Sequence, residues 1–557
     1  MPRRLLANLM SAPATELAAS PPAQARVPAP ASSMRRRPTD GRLYAALGGA
    51  ALLIAALSLL IPSTPSYDPW AWLVWGREIV HLKLHTTGGP SWKPLPVLFT
   101  TLFAPLGKAA PDLWLVVARA GAAMAVAMVF KLSFRLTREL GSRFTAAPAE
   151  LDRLSALAPA ALAGLIAAVG LALSGGFVSD NALGYSEGLM TALVLIALDR
   201  HLDGKPRQAF AVGFAAALDR PEIWLFWGPY GLYLWWKDPG ARKLVLGLFA
   251  LIPALWFLPE LWGSGHLLRG VSRAQHPRSN SPAFANCPFC TELVDHAWPT
   301  VLLRIKVAAA ITVAVLTLDL WRRWRAGRLS LAAPGIQVRA EAAIVLAGLL
   351  GLGWWVVIAV MTQAGFSGNN RYLVLGAALI GIAGAAGWGW ATQEVGNLAR
   401  RYLRVAPVGG RARSAVGSWS AIALGVACFL LVPNWVGRNL INISRTHRAL
   451  VYQAHLREDL TAVVRRYGGP GRVLACGSVM TEGFQVPMVA WTLGVHTIAV
   501  QASPLPHAPL PPAPNVILQT RAQRHSALLP VVRGWKAVPY RLAGRVRTFR
   551  LFTNCRG

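Results

Sequence analysis

Arg35-Arg36-Arg37, followed by the run Leu43–Ile61 (LYAALGGAALLIAALSLLI), is the stretch on which the fold class turns. The run carries no charge, and as a helix its 19 residues would extend about 28 Å, close to the roughly 30 Å of a bilayer's hydrocarbon core. No small-residue cleavage site follows it, so it reads as a retained span rather than a signal peptide. The three arginines before it hold the amino terminus in the cytoplasm. Residues 1–42, rich in Ala, Pro and Ser, read as a disordered basic cytoplasmic arm, with Met34 as an alternative start.

Similar runs follow at 111–130, 156–174, 183–199, 207–219, 221–236, 243–261, 299–318, 341–362, 372–392 and 415–434, giving about eleven transmembrane helices in 43–435. Two of them are short and meet at Asp219-Arg220-Pro221-Glu222, which predicts broken helices with a polar junction. Composition agrees: of 557 residues 54% are hydrophobic and 14% charged, where soluble proteins carry about a quarter charged residues. The net charge of +32 suggests a nucleic-acid partner, but the basic residues cluster in short loops between apolar runs, as cytoplasmic loops facing anionic lipid do. No nucleic-acid module is visible. Arg135, Arg138, Arg200, Lys205, Arg322, Arg323, Arg401 and Arg404 fall on one side, and Asp68, Glu78, Asp180, Glu187, Glu260 and Glu292 on the other. That places the chain in the plasma membrane with its amino terminus cytoplasmic and its carboxyl terminus outside. Residues 436–557 read as a small extracytoplasmic α/β domain, with a helix at about 446–467 and strands at Arg472–Ala475, Thr497–Val500, Val516–Gln519 and Thr548–Phe552.

The chemistry is sought in the first outside loop, 63–110. It runs from Ser66-Tyr67-Asp68-Pro69-Trp70-Ala71-Trp72 to Ser91-Trp92-Lys93-Pro94-Leu95-Pro96, with Trp70, Trp72, Trp75 and Trp92 expected at the membrane interface. A carboxylate at Asp68 can take a proton from an attacking hydroxyl, and an ammonium at Lys93 can stabilise a departing lipid phosphate. Plainer roles stand beside these. Asp68 before Pro69 also suits a turn or a helix cap, and Lys93 also suits a snorkelling interface residue.

Tyr67-Asp68, the aromatic segment after it and Lys93-Pro94-Leu95 resemble the first periplasmic loop of the GT-C glycosyltransferases, above all the protein mannosyltransferase and aminoarabinose transferase superfamily. Members commonly carry Tyr-Asp-Glu followed by Lys-Pro-Pro-Leu. Here Pro69 stands in place of the Glu, and Leu95-Pro96 in place of Pro-Leu. The resemblance implies a GT-C-like enzyme that moves a sugar from a polyprenyl-phosphate donor to an extracytoplasmic glycan, lipid or protein. It makes Asp68 the base, puts Lys93 on the donor phosphate, and sets Tyr67 beside them. Looser matches are Gly184-Tyr185-Ser186-Glu187-Gly188, with Glu187 as a second acidic, catalytic residue that orients acceptor or sugar; Arg220-Pro221-Glu222, a basic-Pro-acidic junction; and Asn369-Asn370-Arg371-Tyr372, with Arg371 on phosphate. Glu187 also suits a helix cap, Arg220 and Glu222 a structural ion pair, and Arg371 an interface anchor. A divalent cation stays open, and no metal ligands are assigned.

Cys287-Pro288-Phe289-Cys290 reads as an oxidised loop pin in preference to a zinc site. Cys476 and Cys555 suit a disulfide in an oxidising compartment, and Cys428 suits packing within the last span. Two rival functions remain: a transporter or flippase for a lipid-linked or polar substrate, built on the broken helices, and a non-catalytic scaffold for envelope assembly.

Overall fold

The computed structural model describes residues 40–141, 150–277, 281–329, 335–403, 422–423, 425–426, 443–505 and 508–555. The amino-terminal arm, most of the run 415–434, Cys428 and Arg404 lie outside these residues. The chain divides into a unit Met1–Ala45, of which only the start of one helix is described, and a unit Ala46–Gly557 that holds everything discussed below.

Among the described residues 73% are helical, and a small sheet lies at the carboxyl terminus. In order the helices are α1 Asp40–Leu57, α2 Tyr67–Val80, α3 Pro94–Phe103, α4 Ala110–Gly141, α5 Glu150–Ala172, α6 Phe177–Ala182, α7 Glu187–Leu202 and α8 Pro206–Ala217. They continue with α9 Trp224–Lys237, α10 Arg242–Ser264, α11 Arg269–Ala274, α12 Pro288–Cys290, α13 Trp298–Thr300, α14 Leu303–Arg325, α15 Ile336–Gln363 and α16 Val374–Leu403. Among the described residues five helical stretches are long and apolar enough to cross a membrane, or six if the bent pair Pro288–Thr300 and Leu303–Arg325 forms one span. This is consistent with a helical membrane protein. The run 415–434 lies mostly outside the described residues, the apolar part of α5 is short, and α7, α8 and α9 have 16, 12 and 14 residues, too few for one straight crossing.

Helix α4, with 32 residues, is about 48 Å long and forms the spine. At its far end Lys131 and Arg135 reach Asp199 on α7, and Arg135 and Arg200 each lie 2.6 Å from Asp203. At its near end α7 is pressed onto it through glycine. A Cβ on Gly121 would lie 2.5 Å from the Cα of Leu189, and one on Gly188 would lie 2.9 Å from the Ala122 Cβ. Small residues at such crossings let backbones approach, and Gly188 fixes where the adjacent Glu187 stands.

The four tryptophans do not sit at a lipid interface, contrary to the sequence expectation. Trp70, Trp72, Trp75 and Trp92 are 3%, 0%, 0% and 3% exposed. The middle of α2, Pro69–Gly76, is apolar on all sides and is enclosed by protein. Trp72 meets Trp114 of α4 edge-on at 5.5 Å, while Trp70 lies 6.1 Å from Trp491 of the carboxyl-terminal region. One apolar cluster runs from these indoles through Leu456, Leu460, Val489, Phe549 and Leu551. The Arg77 guanidinium completes the join, donating to the carbonyls of Trp491 and Val495 at 3.1 and 2.8 Å.

The carboxyl-terminal sheet comprises β1 Val479–Thr481, β2 Val500–Ala502, β3 Val516–Gln519, β4 Arg541–Arg545 and β5 Arg550–Thr553, in the order β2-β1-β3-β5-β4. The first three strands are parallel, and β5 runs antiparallel to β3 and β4. β1 and β3 are buried at every position, as central strands covered on both faces are. The helix expected at about 446–467 spans Ile443–Arg466, and β3 and β5 match two expected strands. Arg472–Ala475 is a correction: it lies in the helix Gly469–Cys476, which opens with Pro470 in its first turn, a position proline favours. A short apolar run does not distinguish strand from helix by periodicity. Thr497–Val500 is also corrected, to a 3₁₀ turn at Thr497–Ala499 leading into β2.

Cys476 and Cys555 form a disulfide that closes a loop with a sequence separation of 79. Replacing both by Ser is expected to cost about 2–5 kcal/mol, read as a fall in Tm of the purified protein. An unchanged Tm would show that the cross-link adds nothing to the packing around it.

Candidate functional site

Three prolines place three charges. Pro94 opens α3, and the residue before it, Lys93, is extended (φ −140°, ψ 109°). Pro221 opens a 3₁₀ turn, and Arg220 before it is extended as well (φ −144°, ψ 129°). Proline disfavours helical geometry in the residue it follows and suits the first turn itself, and here each cation stands extended just outside a helix start. Asp68-Pro69 differs in register, with Asp68 inside the first turn of α2, where the helix dipole favours an anion. Glu187 opens α7, and Arg371 sits in the 3₁₀ turn Asn370–Leu373 ahead of α16. The Leu95 N–H donates to the Leu218 carbonyl at 3.0 Å, tying the start of α3 to the α8–α9 break.

These starts converge. Arg371 Nη2 donates to Asp68 Oδ2 at 2.6 Å across 303 positions of sequence. Its Nε lies 3.5 Å from Glu187 Oε1, and its guanidinium stacks 3.8 Å from the centre of the Tyr185 ring. Lys93 Nζ donates to Ser186 Oγ at 3.1 Å and to Glu187 Oε1 at 3.3 Å. Arg220 reaches Glu187 Oε1 at 3.1 Å and Glu222 Oε1 at 2.7 Å, and lies 3.6 Å from the centre of the Tyr372 ring. One oxygen, Glu187 Oε1, thus faces three cations. Glu187, Arg220 and Glu222 are buried, whereas Asp68, Lys93 and Arg371 keep 14%, 13% and 13% of their side chains exposed. The exposed members are those a ligand can reach.

Every charge singled out in the sequence therefore lies in one network. Asp68 is not the N-cap of α2, which is Ser66, and bonds Arg371 instead; Lys93 turns to Ser186 and Glu187, and the Arg220–Glu222 pair is extended through Glu187. Tyr67 is partly buried and stands edge-on to Phe484 at 6.3 Å. Cys287 and Cys290 are joined by a disulfide at α12, outside this network. Among the described residues no group of three His, Cys, Asp or Glu side chains is placed to hold a metal ion.

The chain matches no protein-family model and no curated protein. The geometry alone therefore carries the functional argument. It adds residues to which the sequence assigned no role. Tyr185 and Tyr372 supply the faces on which two guanidiniums stack, and the Tyr185 hydroxyl shares a 2.9 Å hydrogen bond with Ser66. Asp180 faces Arg371 and Glu187; burial pushes its carboxyl up to about 7, Arg371 opposing the rise and Glu187 adding to it. The signal for Tyr185 and Tyr372 was present, as aromatics flanking the charged motifs. Nothing local marked Asp180.

The segment that delivers Lys93 is clamped from two sides. Glu78 accepts from the His85 N–H at 2.9 Å and bonds His496 Nδ1 at 2.8 Å, and the two imidazoles lie 5.2 Å apart. Opposite them, Arg269 donates to the carbonyls of Thr87, Gly89 and Pro90. Burial, with the neighbouring His496 adding to it, lowers the His85 pKa below its ordinary 6.5, while burial raises that of Glu78. The folded state thus binds the His85 proton less readily than the unfolded chain, so this contribution to stability is present above pH 6.5 and is lost as pH falls below it. Glu78 tilts the other way, its contribution fading as pH rises from its ordinary 4.5 through the raised value. Between about pH 7.5 and 5.5 wild-type Tm is expected to fall more steeply than that of His85→Asn. Parallel curves would remove His85 from the clamp's acid response.

Proposed function

We propose that the protein is a GT-C-type glycosyltransferase, moving a sugar from a polyprenyl-phosphate donor to an acceptor hydroxyl outside the cytoplasm. The observation that carries this reading is the meeting of Asp68, Lys93, Glu187 and Arg371, drawn from four helix starts, beside a cavity walled by tryptophan. A lipid phosphate needs cations at the edge of an apolar space, and an attacking hydroxyl needs a carboxylate facing them. A GC-rich bacterial source, read from the Ala, Arg and Gly content, makes mannose or arabinofuranose the candidate sugars. The finer topology, with eleven spans, a cytoplasmic amino terminus and the site outside, follows from the charge distribution; the three short helices α7, α8 and α9 serve as broken or tilted crossings.

In the proposed step Asp68 takes the proton from the acceptor hydroxyl as its oxygen bonds to the anomeric carbon. The bond from that carbon to the phosphate oxygen breaks, and the phosphate leaves with the electron pair. Lys93 and Arg371 neutralise the charge that develops there. Glu187 holds Lys93, Arg220 and Arg371 in register, which makes it a positioning residue.

The test is transfer of radiolabelled sugar from polyprenyl-phosphate donors to membrane acceptors by purified wild type and Asp68→Asn. Transfer by the wild type that is lost in the variant supports the reading. Equal transfer by both removes Asp68 as the base. Binding of donor without transfer by either protein favours a transporter of the lipid-linked sugar.

A further inference from the structure

The two disulfides of the described residues differ in setting. Cys476 and Cys555 are half-buried, with Cys476 packed against the apolar cluster under α2 and the Cys555 sulfur 3.6 Å from the Tyr467 hydroxyl. Cys287 and Cys290 are three positions apart and both exposed, and Asn286 before them and Asp295 after them are exposed as well. Thiol–disulfide exchange needs access to a sulfur, so an exposed bridge reacts where an enclosed one resists. The exposed pair is also prepared to open. The Cys290 N–H donates to Cys287 Sγ at 3.3 Å, and a thiolate released at Cys287 would accept that same bond more strongly.

The turn that this bridge closes is joined to the segment carrying Arg371. The Phe289 N–H, between the two cysteines, donates to Gln363 Oε1 at 3.1 Å, and Gln363 is the last residue of α15. Just beyond the bridge Glu292 is wholly buried, with its Oε2 bonded to His296 Nδ1 at 3.0 Å. A Cβ on Gly368 would lie 2.5 Å from that same oxygen, so only glycine lets the two segments meet here. Residues 364–373 therefore rest on the stretch after the bridge at both Gln363 and Gly368. They end in the turn Asn370–Leu373, from which Arg371 reaches Asp68 and Glu187.

We infer that Cys287–Cys290 is a thiol–disulfide exchange site for an extracytoplasmic dithiol, and that its reduction loosens the turn that carries Arg371. One thiolate of the dithiol attacks Cys290 Sγ, and the bond between the two protein sulfurs breaks. Cys287 leaves with the electron pair as a thiolate, onto the waiting Cys290 N–H. The second thiolate of the reductant then attacks its own sulfur in the mixed disulfide and frees Cys290. The two protons of the reductant pass to the two protein thiolates, so two electrons enter the protein and the dithiol becomes a disulfide. With the bridge open, nothing covalent holds the Phe289 N–H toward Gln363, and the contact at Gly368 loses its support. The exchange is independent of what the site transfers.

The test treats full-length protein in nanodiscs with dithiothreitol, traps free thiols with a maleimide that mass spectrometry assigns, and follows amide hydrogen exchange in parallel. Cys287 and Cys290 are expected to open at least about tenfold faster than Cys476 and Cys555. While the second bridge is still closed, exchange at Phe366, Ser367 and Tyr372, whose N–H groups are hydrogen-bonded, is expected to rise about 3–10-fold. The double variant Cys287→Ser/Cys290→Ser is expected to show that rise without dithiothreitol and no further rise with it. If Cys476–Cys555 opens first or at the same rate, Cys287–Cys290 is not an exchange site. If Cys287–Cys290 opens and the three amides exchange as before, the link to Arg371 is absent and the inference falls. The wild-type measurement decides both points even if the double variant does not fold, and either failure leaves the Asp68→Asn test of the transferase untouched.

Discussion

Asp68→Asn is expected to lower kcat for sugar transfer by about 10²–10⁴-fold, the usual contribution of a positioned general base, while the donor KM stays level or falls. The direction of KM follows from the ion network. Asparagine keeps the size of the side chain and an oxygen for Arg371 Nη2, which lies 2.6 Å from Asp68 now, so the arrangement persists. What disappears is a proton acceptor and one negative charge. With one anion fewer, Arg371 is freer to meet the donor phosphate, and ground-state binding tightens as turnover collapses. A fall in kcat accompanied by a rise in KM would instead mean that Asp68 serves chiefly to hold the donor. Steady-state transfer at varied donor concentration separates the two.

Arg371 carries the second large effect. Its guanidinium plane lies on Tyr185 and spans from Asp68 to Glu187, a geometry that needs a flat, forked cation. Arg371→Met removes the shared partner of two carboxylates, a loss of about 3–5 kcal/mol where such pairs are buried and less here, because both ends of the Asp68 pair keep some exposure. Transfer is expected to fall about 10²–10³-fold from the missing charge at the leaving phosphate. Arg371→Lys restores the charge without the fork and is expected to recover less than about tenfold of that loss. A lysine variant with wild-type kinetics would show that only the charge matters. Thermal melts of the same variants separate folding from chemistry.

The members of the site were legible one at a time because each is marked locally. Lys93 and Arg220 stand before proline, Asp68 and Glu187 open helices, and Arg371 stands beside an aromatic ahead of a long apolar run. Their meeting was not legible, since the Asp68–Arg371 contact depends on how α2 and α16 pack within one bundle. The tryptophans of α2 misled for the same reason: an aromatic cluster near a membrane boundary suits lipid headgroups as well as a protein core, and only the covering carboxyl-terminal region decides between them. Asp219 was visible at a broken helix, but its burial beside Lys93 and Ser186 depends on how α3, α7 and α8 pack. In the carboxyl-terminal region β3 could be read from its short continuous apolar run and β5 from its apolar pair, whereas β1 has only three residues, too few to leave a signal.

The burial of α2 against the carboxyl-terminal region has a consequence for how the protein is made. Helix α2 leaves the ribosome early, and the surface that covers Trp70 begins with the helix opening at Ile443. At about 5–20 residues per second, the nascent chain carries its apolar α2 without that cover for roughly 20–70 s. Until residues 491–496 arrive, neither the Glu78–His496 contact nor the Arg77 bonds to Trp491 and Val495 exist, and nothing from that side holds the Lys93 segment. Synthesis itself thus acts as a timer: the clamp on that segment closes only late, and a chain terminated before these residues is left with its aromatic α2 uncovered on that side.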